Sequence, residues 1–365
     1  MTSIGERNRK RPNRTGRRSQ ALALALLLCA TLFVPGLAGA QASGAGAGEL
    51  LRAYDVPGSP QEIAVEAPGR VWFTLPEENA IGLLVRADDG SATVTTHPLP
   101  QPGSEPYDIA VAGGAVWFTE RAGNRIGRLD LGTLALREYD LPTAGSQPTS
   151  LAVLADTTTQ VWYTAAASGS LGRLTVDAAL GGTFQEYALP AGDVAASPRD
   201  VAIQSATRVW VTVPNRSVLY QLQVTTGLFI PVQTGAGSAP WSIVISGGYP
   251  WFTDIGQNRI GSWNPSTLSI VYWRDLPHAD SAPYGLDVRG GYVWFTEESG
   301  QRIGRLSTTS HRDLKEFGAP GAGPNPAGIA GDATGAVWVA APGTGQVLRW
   351  QAPYFFWQYY PLVRR

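Results

Sequence analysis

The chain has 365 residues, of which 44% are hydrophobic, and its 28 basic and 29 acidic side chains give a formal net charge of −1. The sequence contains no basic stripe of the kind that binds phosphate backbones, so nucleic acid is excluded as an expected partner. The single cysteine, Cys29, lies in the N-terminal leader described next. Disulfides therefore cannot stabilise the folded part, whose stability must come from packing.

The first forty residues have the pattern of a secretory signal peptide. Seven basic residues precede an apolar run over residues 21–34, and Ala38-Gly39-Ala40 then offers a cleavage site of small residues. The apolar run is too short for an ordinary membrane-spanning helix. We therefore predict a signal peptide over residues 1–40 and an exported protein, secreted or on the exterior of the cell envelope, with no membrane span after cleavage. Both the general secretory and the twin-arginine routes stay open.

The part of the chain that follows the leader is predicted to form a linker and one domain. Residues 41–48 (QASGAGAG) are predicted to be a flexible linker because they are small and polar. The repeats described below run without a seam, so residues 49–365 are predicted to form a single, monomeric domain. The leader holds seven of the 28 basic and one of the 29 acidic residues, so the remainder has 21 basic and 28 acidic side chains.

Seven tryptophans recur in one local context, in which an aromatic residue or Val and then Thr or Ala follow. They are Trp72, Trp117, Trp162, Trp210, Trp251, Trp294 and Trp338. A spacing of about 45 residues is typical of one four-stranded propeller blade. The sequence therefore predicts an all-β protein, a seven-bladed β-propeller of four-stranded antiparallel blades, with these tryptophans in its core.

The second repeat shows the four predicted strands of a blade most clearly. They read PYDIAV, AVWFTE, RIGRLD and LREYDLP within residues 106–142. Short runs rich in Val, Ile and aromatic residues, separated by Gly, Asn or Pro, indicate strands and turns. We name the four strands of a blade a to d in chain order, running outward from the propeller axis. Their alternating directions then place the b–c hairpins, and the d–a connectors between blades, at the same end of the propeller. We call this end the mouth of the central channel, and we expect function there.

Closure of the ring is open between two candidate strands. Residues 50–57 (LLRAYDVP) resemble a fourth strand that arrives before any first strand, and residues 355–362 (FFWQYYPL) resemble another. An N-terminal strand that completes the last blade would clamp the ring and remove its edges. We favour this N-terminal closure, with closure by the C-terminal segment as the alternative.

The repeat resembles the blade of the virginiamycin B (streptogramin B) lyase family. The resemblance is carried by WFTERAGNRIGRLD over residues 117–130 and by REYDLPTAGSQP over residues 137–148, and it covers residues 50–350. It implies a seven-bladed propeller and an elimination that linearises a cyclic depsipeptide at its ester linkage. In that chemistry a magnesium ion polarises the ester carbonyl and a histidine handles the proton.

The positions that carry this chemistry in the family are changed in this chain. In the last connector, Asn325 stands where the family has a carboxylate and Ala327 where it has a histidine. Tyr284 occupies the place of the histidine in the sixth connector, and Gln61 that of a tyrosine in the first. No acid follows within four residues of Trp338. Because the base and the oxygen ligands are missing, we expect no cofactor and a protein that is not an enzyme.

A shifted metal site in the second blade is the alternative. Glu105 and Glu120 come from adjacent connections of this blade, with Tyr107 between them in sequence. Two carboxylates could hold a divalent cation such as magnesium, which would lower the pKa of the tyrosine. Solvated glutamates and a packed tyrosine are the simpler interpretation, which we favour.

The residues that follow the seven connector prolines are predicted to encircle the mouth. They are Gln61, Tyr107, Thr149, Arg199, Trp241, Tyr284 and Ala327. Three aromatic side chains and an arginine suit stacking against a sugar, an aromatic group or a peptide. The same side chains could instead plug the axis, and the sequence leaves both interpretations open.

We predict a ligand-binding site at Tyr107, Arg199, Trp241 and Tyr284, framed by the acidic residue Glu297. The predicted function is that of an exported binding module for a small molecule, a glycan or a peptide. The alternative is a magnesium-dependent carbon–oxygen lyase that opens cyclic depsipeptides. The sequence does not identify the ligand.

Overall fold

The structure, a computed structural model, describes residues 50–351 except 193–194, 265 and 311. The predicted signal peptide, the linker and the C-terminal candidate strand at 355–362 lie outside the described residues. Within them, 28 strands form seven four-stranded sheets whose neighbouring strands are antiparallel. The predicted seven-bladed β-propeller is therefore confirmed. No helix of the described residues is long and apolar enough to cross a membrane.

The strands are numbered in chain order, and strand β1 is Leu50–Asp55. Blade 1 consists of β2 (Ile63–Ala67), β3 (Arg70–Leu75), β4 (Ala80–Arg86) and β5 (Ala92–Pro98). Blade 2 consists of β6 (Pro106–Ala112), β7 (Ala115–Glu120), β8 (Arg125–Asp130) and β9 (Leu136–Asp140). Blade 3 consists of β10 (Pro148–Ala155), β11 (Thr159–Ala165), β12 (Ser170–Val176) and β13 (Gly182–Ala188).

The remaining blades follow in the same way. Blade 4 consists of β14 (Val201–Ser205), β15 (Arg208–Val213), β16 (Val218–Gln223) and β17 (Leu228–Gln233). Blade 5 consists of β18 (Pro240–Ser246), β19 (Tyr249–Asp254), β20 (Arg259–Asn264) and β21 (Ser269–Asp275). Blade 6 consists of β22 (Pro283–Arg289), β23 (Tyr292–Glu297), β24 (Arg302–Ser307) and β25 (Leu314–Gly318). Blade 7 consists of β26 (Ile329–Gly331), β27 (Val337–Ala341), β28 (Gln346–Gln351) and β1.

The N-terminal strand closes the ring. Strand β1 pairs antiparallel with β28 from Leu50 opposite Gln351 to Asp55 opposite Gln346. The Gln346 side chain also donates a hydrogen bond to Asp55 at 2.8 Å. The favoured N-terminal closure is therefore confirmed, and the outer edge of β28 is paired within the domain.

The repeated tryptophans lie in the core, as predicted. All seven are at most 5% exposed, and each lies on the second strand of its blade. The Ile-Gly pair that recurs on the third strand has a packing reason, because a β-carbon at Gly127 would overlap the ring of Phe118 on β7. Five of the seven blades, namely blades 1, 2, 3, 5 and 6, therefore pack an aromatic ring of the second strand against a glycine of the third strand.

Candidate functional site

Side chains from four blades meet at the mouth. Arg199 Nη2 donates hydrogen bonds to the hydroxyls of Tyr107 at 3.1 Å and Tyr284 at 2.7 Å. These two hydroxyls lie 2.9 Å apart, within hydrogen-bond distance. Gln61 Nε2 donates to the Tyr284 hydroxyl at 3.1 Å. Residues far apart in the chain thus form one hydrogen-bonded group because their connectors converge on the axis.

Three aromatic rings surround the Arg199 guanidinium. Its Cζ lies 4.6 Å from the ring centroid of Trp241, 5.1 Å from that of Tyr107 and 5.6 Å from that of Tyr284. Such distances are within the range of cation–π attraction. We call Gln61, Tyr107, Arg199, Trp241 and Tyr284 the Arg199 cluster. Four of the five predicted ligand-binding residues belong to it.

The protonation states of the cluster follow from its surroundings. Burial alone would lower the pKa of Arg199, but the nearby Tyr284, Tyr107 and Glu62 together raise it. Burial likewise raises the pKa of the Tyr284 hydroxyl well above its ordinary value. Arg199 is therefore a permanent cation and Tyr284 a neutral phenol. Tyr284 is buried, whereas the other members are half-buried. The cluster therefore narrows the channel, and part of its side-chain surface stays exposed at the mouth.

A cavity of about 200 Å³ lies in the channel beside the cluster. Arg199, Trp241 and Tyr284 form part of its wall, and three carboxylates, Glu62, Asp108 and Asp200, form another part. We call these acids the carboxylate tier. Most of the remaining wall is aliphatic, and two serines and a glycine complete it; these residues are Ile63, Ile109, Leu151, Val201, Ile243, Val244, Leu286, Ile329, Ser150, Ser242 and Gly285. The sequence analysis missed the tier, although each acid is the second residue after a connector proline.

Two acids of the tier, Asp108 and Asp200, form hydrogen bonds to neighbouring blades. Asp108 Oδ2 accepts a hydrogen bond from the backbone N–H of Leu151 at 2.8 Å. Asp200 Oδ2 accepts one from the N–H of Ile243 at 2.8 Å, and Asp200 Oδ1 accepts one from the Ser150 hydroxyl at 2.6 Å. Burial and the charge of Asp200 nevertheless raise the pKa of Asp108 to about 6. These contacts give Asp108 and Asp200 a structural role.

Glu62 differs from the other two acids. Its carboxylate lies against Gly328 of blade 7, where a β-carbon would overlap it. Burial raises the pKa of Glu62 well above its ordinary value, and the negative charges of Asp108 and Asp200 raise it further. The positive charge of Arg199 lowers this pKa, but by less than the other effects raise it. Glu62 is thus the member of the tier whose carboxylate receives no hydrogen bond from the residues that the structure describes.

We predict that Glu62→Gln stabilises the protein relative to the wild type, and that this stabilisation grows as the pH rises. The folded protein holds the Glu62 proton to a higher pH than the unfolded chain, so this group's stabilisation is complete below its unfolded pKa and is lost as the pH rises through the folded pKa. Glutamine mimics the protonated form at every pH. The difference in unfolding free energy should grow by about 1.4 kcal/mol for each pH unit between the two pKa values.

Urea unfolding of the wild type and of Glu62→Gln between pH 4 and pH 9 measures this difference. The matched control is Glu77→Gln, which changes the same charge at an exposed position. Its difference from the wild type should stay flat over the whole range. A flat difference for Glu62→Gln would show that the Glu62 carboxylate is solvated.

Glu297, the remaining predicted ligand-binding residue, lies buried and ion-paired. Its Oε2 is 2.7 Å from Nε of Arg302, and its side chain is 0% exposed. Blades 2 and 5 contain the same arrangement, with Glu120 and Arg125 at 2.8 Å and Asp254 and Arg259 at 3.1 Å. In the sequence, each of these ion pairs corresponds to an acid five residues before an arginine. Each ion pair joins the end of the second strand to the start of the third strand, so it holds the b–c hairpin of its blade at the mouth.

The two candidate metal ligands of blade 2 each contact an arginine. Glu105 Oε2 lies 3.0 Å from Arg121 Nη2, and Glu120 pairs with Arg125 as above. Tyr107, which the alternative interpretation places with them, directs its hydroxyl to Arg199. Within residues 50–351, leaving out the four undescribed positions, no group of three His, Cys, Asp or Glu side chains could hold a metal ion.

The positions that would hold magnesium in the resembled family offer a different donor set. The Asn325 amide oxygen accepts a hydrogen bond from Gln301 Nε2 at 2.7 Å, and Gln301 Oε1 accepts one from the Asn325 N–H at 2.8 Å. Ala327 is 0% exposed and carries no titratable group, and Ala341 is equally buried. A hard dication favours carboxylate oxygens. The residues at these positions therefore do not fit the ion.

Two of the three histidines can be located, and neither contacts the Arg199 cluster. The ring of His97 lies 5.4 Å from that of Trp72 in blade 1. His278 Nε2 lies 3.2 Å from Glu316 Oε2, and the His278 side chain is 52% exposed. His311 is outside the described residues.

Comparisons with known proteins agree with the blade motif. The model of the virginiamycin B lyase family matches residues 47–222. A virginiamycin B lyase of Nocardia farcinica is 30% identical over 218 residues, which are 58% of this chain and 69% of that protein. The structure of virginiamycin B lyase from Staphylococcus aureus has a TM-score of 0.73 and 26% identity, covering 83% of this chain and 99% of its own. A catalytically inactive variant of that enzyme, solved with quinupristin, gives the same values.

Proposed function

The chain belongs to the virginiamycin B lyase family, and we propose that within this family it is an exported binding module whose ligand rests on the Arg199 cluster. The ligand is a small molecule, a glycan or a peptide that presents a flat ring or a sugar face. The observation that carries the proposal is the convergence of Arg199 with Tyr107, Trp241 and Tyr284 at the channel mouth.

The chemistry of the cluster supports stacking. Trp241 lies 5.7 Å from Tyr284 between ring centroids, and Arg199 contacts both rings. Aromatic faces and a guanidinium plane attract flat or polarised groups. Hydrogen bonds hold Arg199, Tyr107 and Tyr284 in place before a ligand arrives, so ordering these side chains costs binding little entropy. The same contacts thus narrow the channel and preorganise the site.

The residues at the family's reactive positions support binding without catalysis. An elimination needs a group that removes a proton, and alanine at position 327 cannot do so. The Asn325 side chain accepts a hydrogen bond from Gln301 Nε2, its backbone N–H donates one to Gln301 Oε1, and it carries no charge. We therefore propose a protein without a metal cofactor.

The second candidate function is that of a magnesium-dependent carbon–oxygen lyase acting on cyclic depsipeptides. Family membership favours it, since the relatives named above are lyases. Glu105, Glu120 and Tyr107 are the residues of this chain that would serve it. The arginine partners of both carboxylates lower their availability to a metal ion, so we rank this function second.

We further propose that binding takes place outside the cytoplasm, by a monomer. The basic and apolar pattern of residues 1–40 supports export. The pairing of β1 with β28 supports the monomer, because the closed ring leaves no long strand edge at this blade for a second copy.

The mouth is tested with quinupristin, a glycan array and a peptide array as probes. The wild type should bind a probe, and Trp241→Ala should weaken that binding about tenfold or more, since a stacking platform loses its largest ring. Tyr249→Ala is the matched control, because Tyr249 is an exposed aromatic in the first hairpin of blade 5. Isothermal titration measures the affinities.

The same samples separate the two candidate functions. Quinupristin incubated with the protein and Mg²⁺ should stay cyclic by mass spectrometry. Ring opening that EDTA abolishes would establish the lyase in place of the binding module. Equal affinities of the wild type and Trp241→Ala for every probe that binds, or no binding to any probe, would remove the proposed site.

A further inference from the structure

Three arginines converge where blade 7 meets blade 1, at the end of the propeller opposite the mouth. Arg52 on β1 lies directly opposite Arg349 on β28 in the strand pairing. The Arg52 guanidinium reaches the c–d hairpin of blade 1, where a β-carbon at Gly90 would lie 3.0 Å from its Nη1. Arg86 is the last residue of β4, which leads into this hairpin. We call Arg52, Arg86 and Arg349 the arginine triad.

The triad forms no ion pair with an acid among the residues that the structure describes. The two acids nearest to it are engaged locally. Asp89 accepts hydrogen bonds from Ser91, and Asp332 accepts them from its own hairpin and from Trp338 Nε1. Because these carboxylates already have partners, the positive charge of the triad is left uncompensated.

Two buried donors at this site lack an acceptor. Arg349 is 8% exposed, and its Nε is a buried atom that makes no hydrogen bond to a described residue. The same holds for the hydroxyl of Tyr54. Both side chains lie on Trp338, since Arg349 Cζ is 5.4 Å and the Tyr54 ring is 6.0 Å from its ring centroid. A buried donor without a partner is costly, so the site calls for a ligand that carries acceptors.

Blade 2 contains the same arginine with its charge compensated. Arg128 lies opposite the core tryptophan of its blade, as Arg349 does in blade 7. Arg128 Nη2 donates a hydrogen bond to Asp130 at 3.0 Å. In blade 7 the equivalent acceptor is the side-chain oxygen of Gln351. Glutamine keeps the acceptor and omits the negative charge, so the excess positive charge is a departure from the repeat.

The charges set the sign of the ligand. Burial and the positive charges of Arg86 and Arg52 lower the pKa of Arg349, so the guanidinium groups repel one another. This clustering occurs in a chain whose acidic side chains outnumber the basic ones once the leader is left out. An anion between the arginines would relieve the repulsion. Guanidinium groups hold oxyanions through paired N–H donors.

We propose that the arginine triad and the Tyr54 hydroxyl bind a doubly charged tetrahedral oxyanion, such as a phosphate group. The guanidinium groups donate charge-assisted hydrogen bonds to its oxygens, and the exposed Arg52 forms the entrance. Free phosphate and the phosphate of an organic monoester present the same oxygens to the site. The site goes beyond the function proposed for the mouth and does not depend on it.

The first probe is inorganic phosphate, titrated by calorimetry into the full mature protein at pH 8 and low ionic strength. The expected dissociation constant is about 1 mM, because so small an anion forms few contacts. Sulfate should bind with similar affinity, and chloride and acetate at least about tenfold more weakly, because they carry one charge. Phenyl phosphate separates the two sources. Binding as tight as that of phosphate assigns the site to a monoester, and binding about tenfold weaker assigns it to the free anion.

Two substitutions at the site should each weaken phosphate binding about tenfold. Arg52→Gln removes the exposed cation, and Gln351→Glu keeps the acceptor of Arg349 and adds the negative charge that blade 2 has at this position. The matched control is Arg137→Gln. Arg137 occupies the place of Arg52 on the fourth strand of blade 2 and is likewise exposed, so this variant should bind phosphate like the wild type.

Thermal unfolding checks that all three variants are folded. Unchanged affinity in Arg52→Gln or in Gln351→Glu would overturn the proposal. An equal loss in Arg137→Gln, chloride that binds as tightly as phosphate, or a wild type that binds no phosphate would overturn it as well. The mouth assay with Trp241→Ala is independent of these outcomes.

Discussion

Removal of strand β1 should destabilise the propeller more than any single substitution. A variant that starts at Pro57 loses all six residue pairs between β1 and β28 and the packing of Leu51 and Tyr54 on blade 7. The two half-buried side chains contribute about 1 kcal/mol each, and the six paired residues add about 0.5 kcal/mol each in backbone hydrogen bonds, so we expect a loss of about 5 kcal/mol in unfolding free energy. Urea unfolding followed by tryptophan fluorescence measures it.

The control for this truncation removes the other end of the chain. A variant that stops at Gln351 lacks the segment 355–362, the alternative closing strand, and should unfold at the wild-type urea concentration. The variant that starts at Pro57 should also aggregate, because β28 then exposes an unpaired strand edge. If the C-terminal variant were the unstable one, the N-terminal closure would be wrong.

Arg199→Met should cost about 3 kcal/mol, because the half-buried guanidinium donates charge-assisted hydrogen bonds to two tyrosine hydroxyls. The substitution leaves the hydroxyls of Tyr107 and Tyr284 without their donor and removes the positive charge nearest to Glu62. The loss should grow as the pH rises, because Arg199 holds the pKa of Glu62 lower than burial alone would and compensates the carboxylate wherever it is ionised.

Two further variants test the cause of this loss. Arg121→Met removes a rim arginine that lies 4.7 Å from the Tyr107 ring centroid and is 39% exposed, and it should cost less than about 1 kcal/mol. The double variant Arg199→Met with Glu62→Gln should recover part of the loss, because no unpaired acid then remains at position 62. A cost below about 1 kcal/mol for Arg199→Met would mean that water solvates the cluster.

The blade architecture was predictable because its signals are local and repeated. Each blade carries its Trp on the second strand and, in most blades, an Ile-Gly or Leu-Gly pair on the third, so the period can be read without knowing any distant contact. The closing strand was narrowed to two candidates for a similar reason, since residues 50–57 and 355–362 both resemble the fourth strand of other repeats. An apolar strand with no partner in its own repeat must pair elsewhere.

The mouth was predictable only in part. Connector prolines identified Tyr107, Arg199, Trp241 and Tyr284 as neighbours of the axis, and the structure brings them into contact. The position of Glu297 is different, since it pairs with Arg302. That pairing leaves a trace in the chain, an acid five residues before an arginine in three blades, and the spacing could have revealed it.

The sequence by itself determined the number of blades, the core tryptophans and the loss of the family's histidine and carboxylates from the last blade. Each of these depends on residue type at a fixed position in a repeat. Only the tertiary structure decided that β1 closes the ring, that Arg199 lies among three aromatic rings and that Glu62 lines the channel cavity with no hydrogen-bond donor from the described residues. Contacts across the axis join residues more than 80 positions apart, and their distances depend on how the whole ring closes.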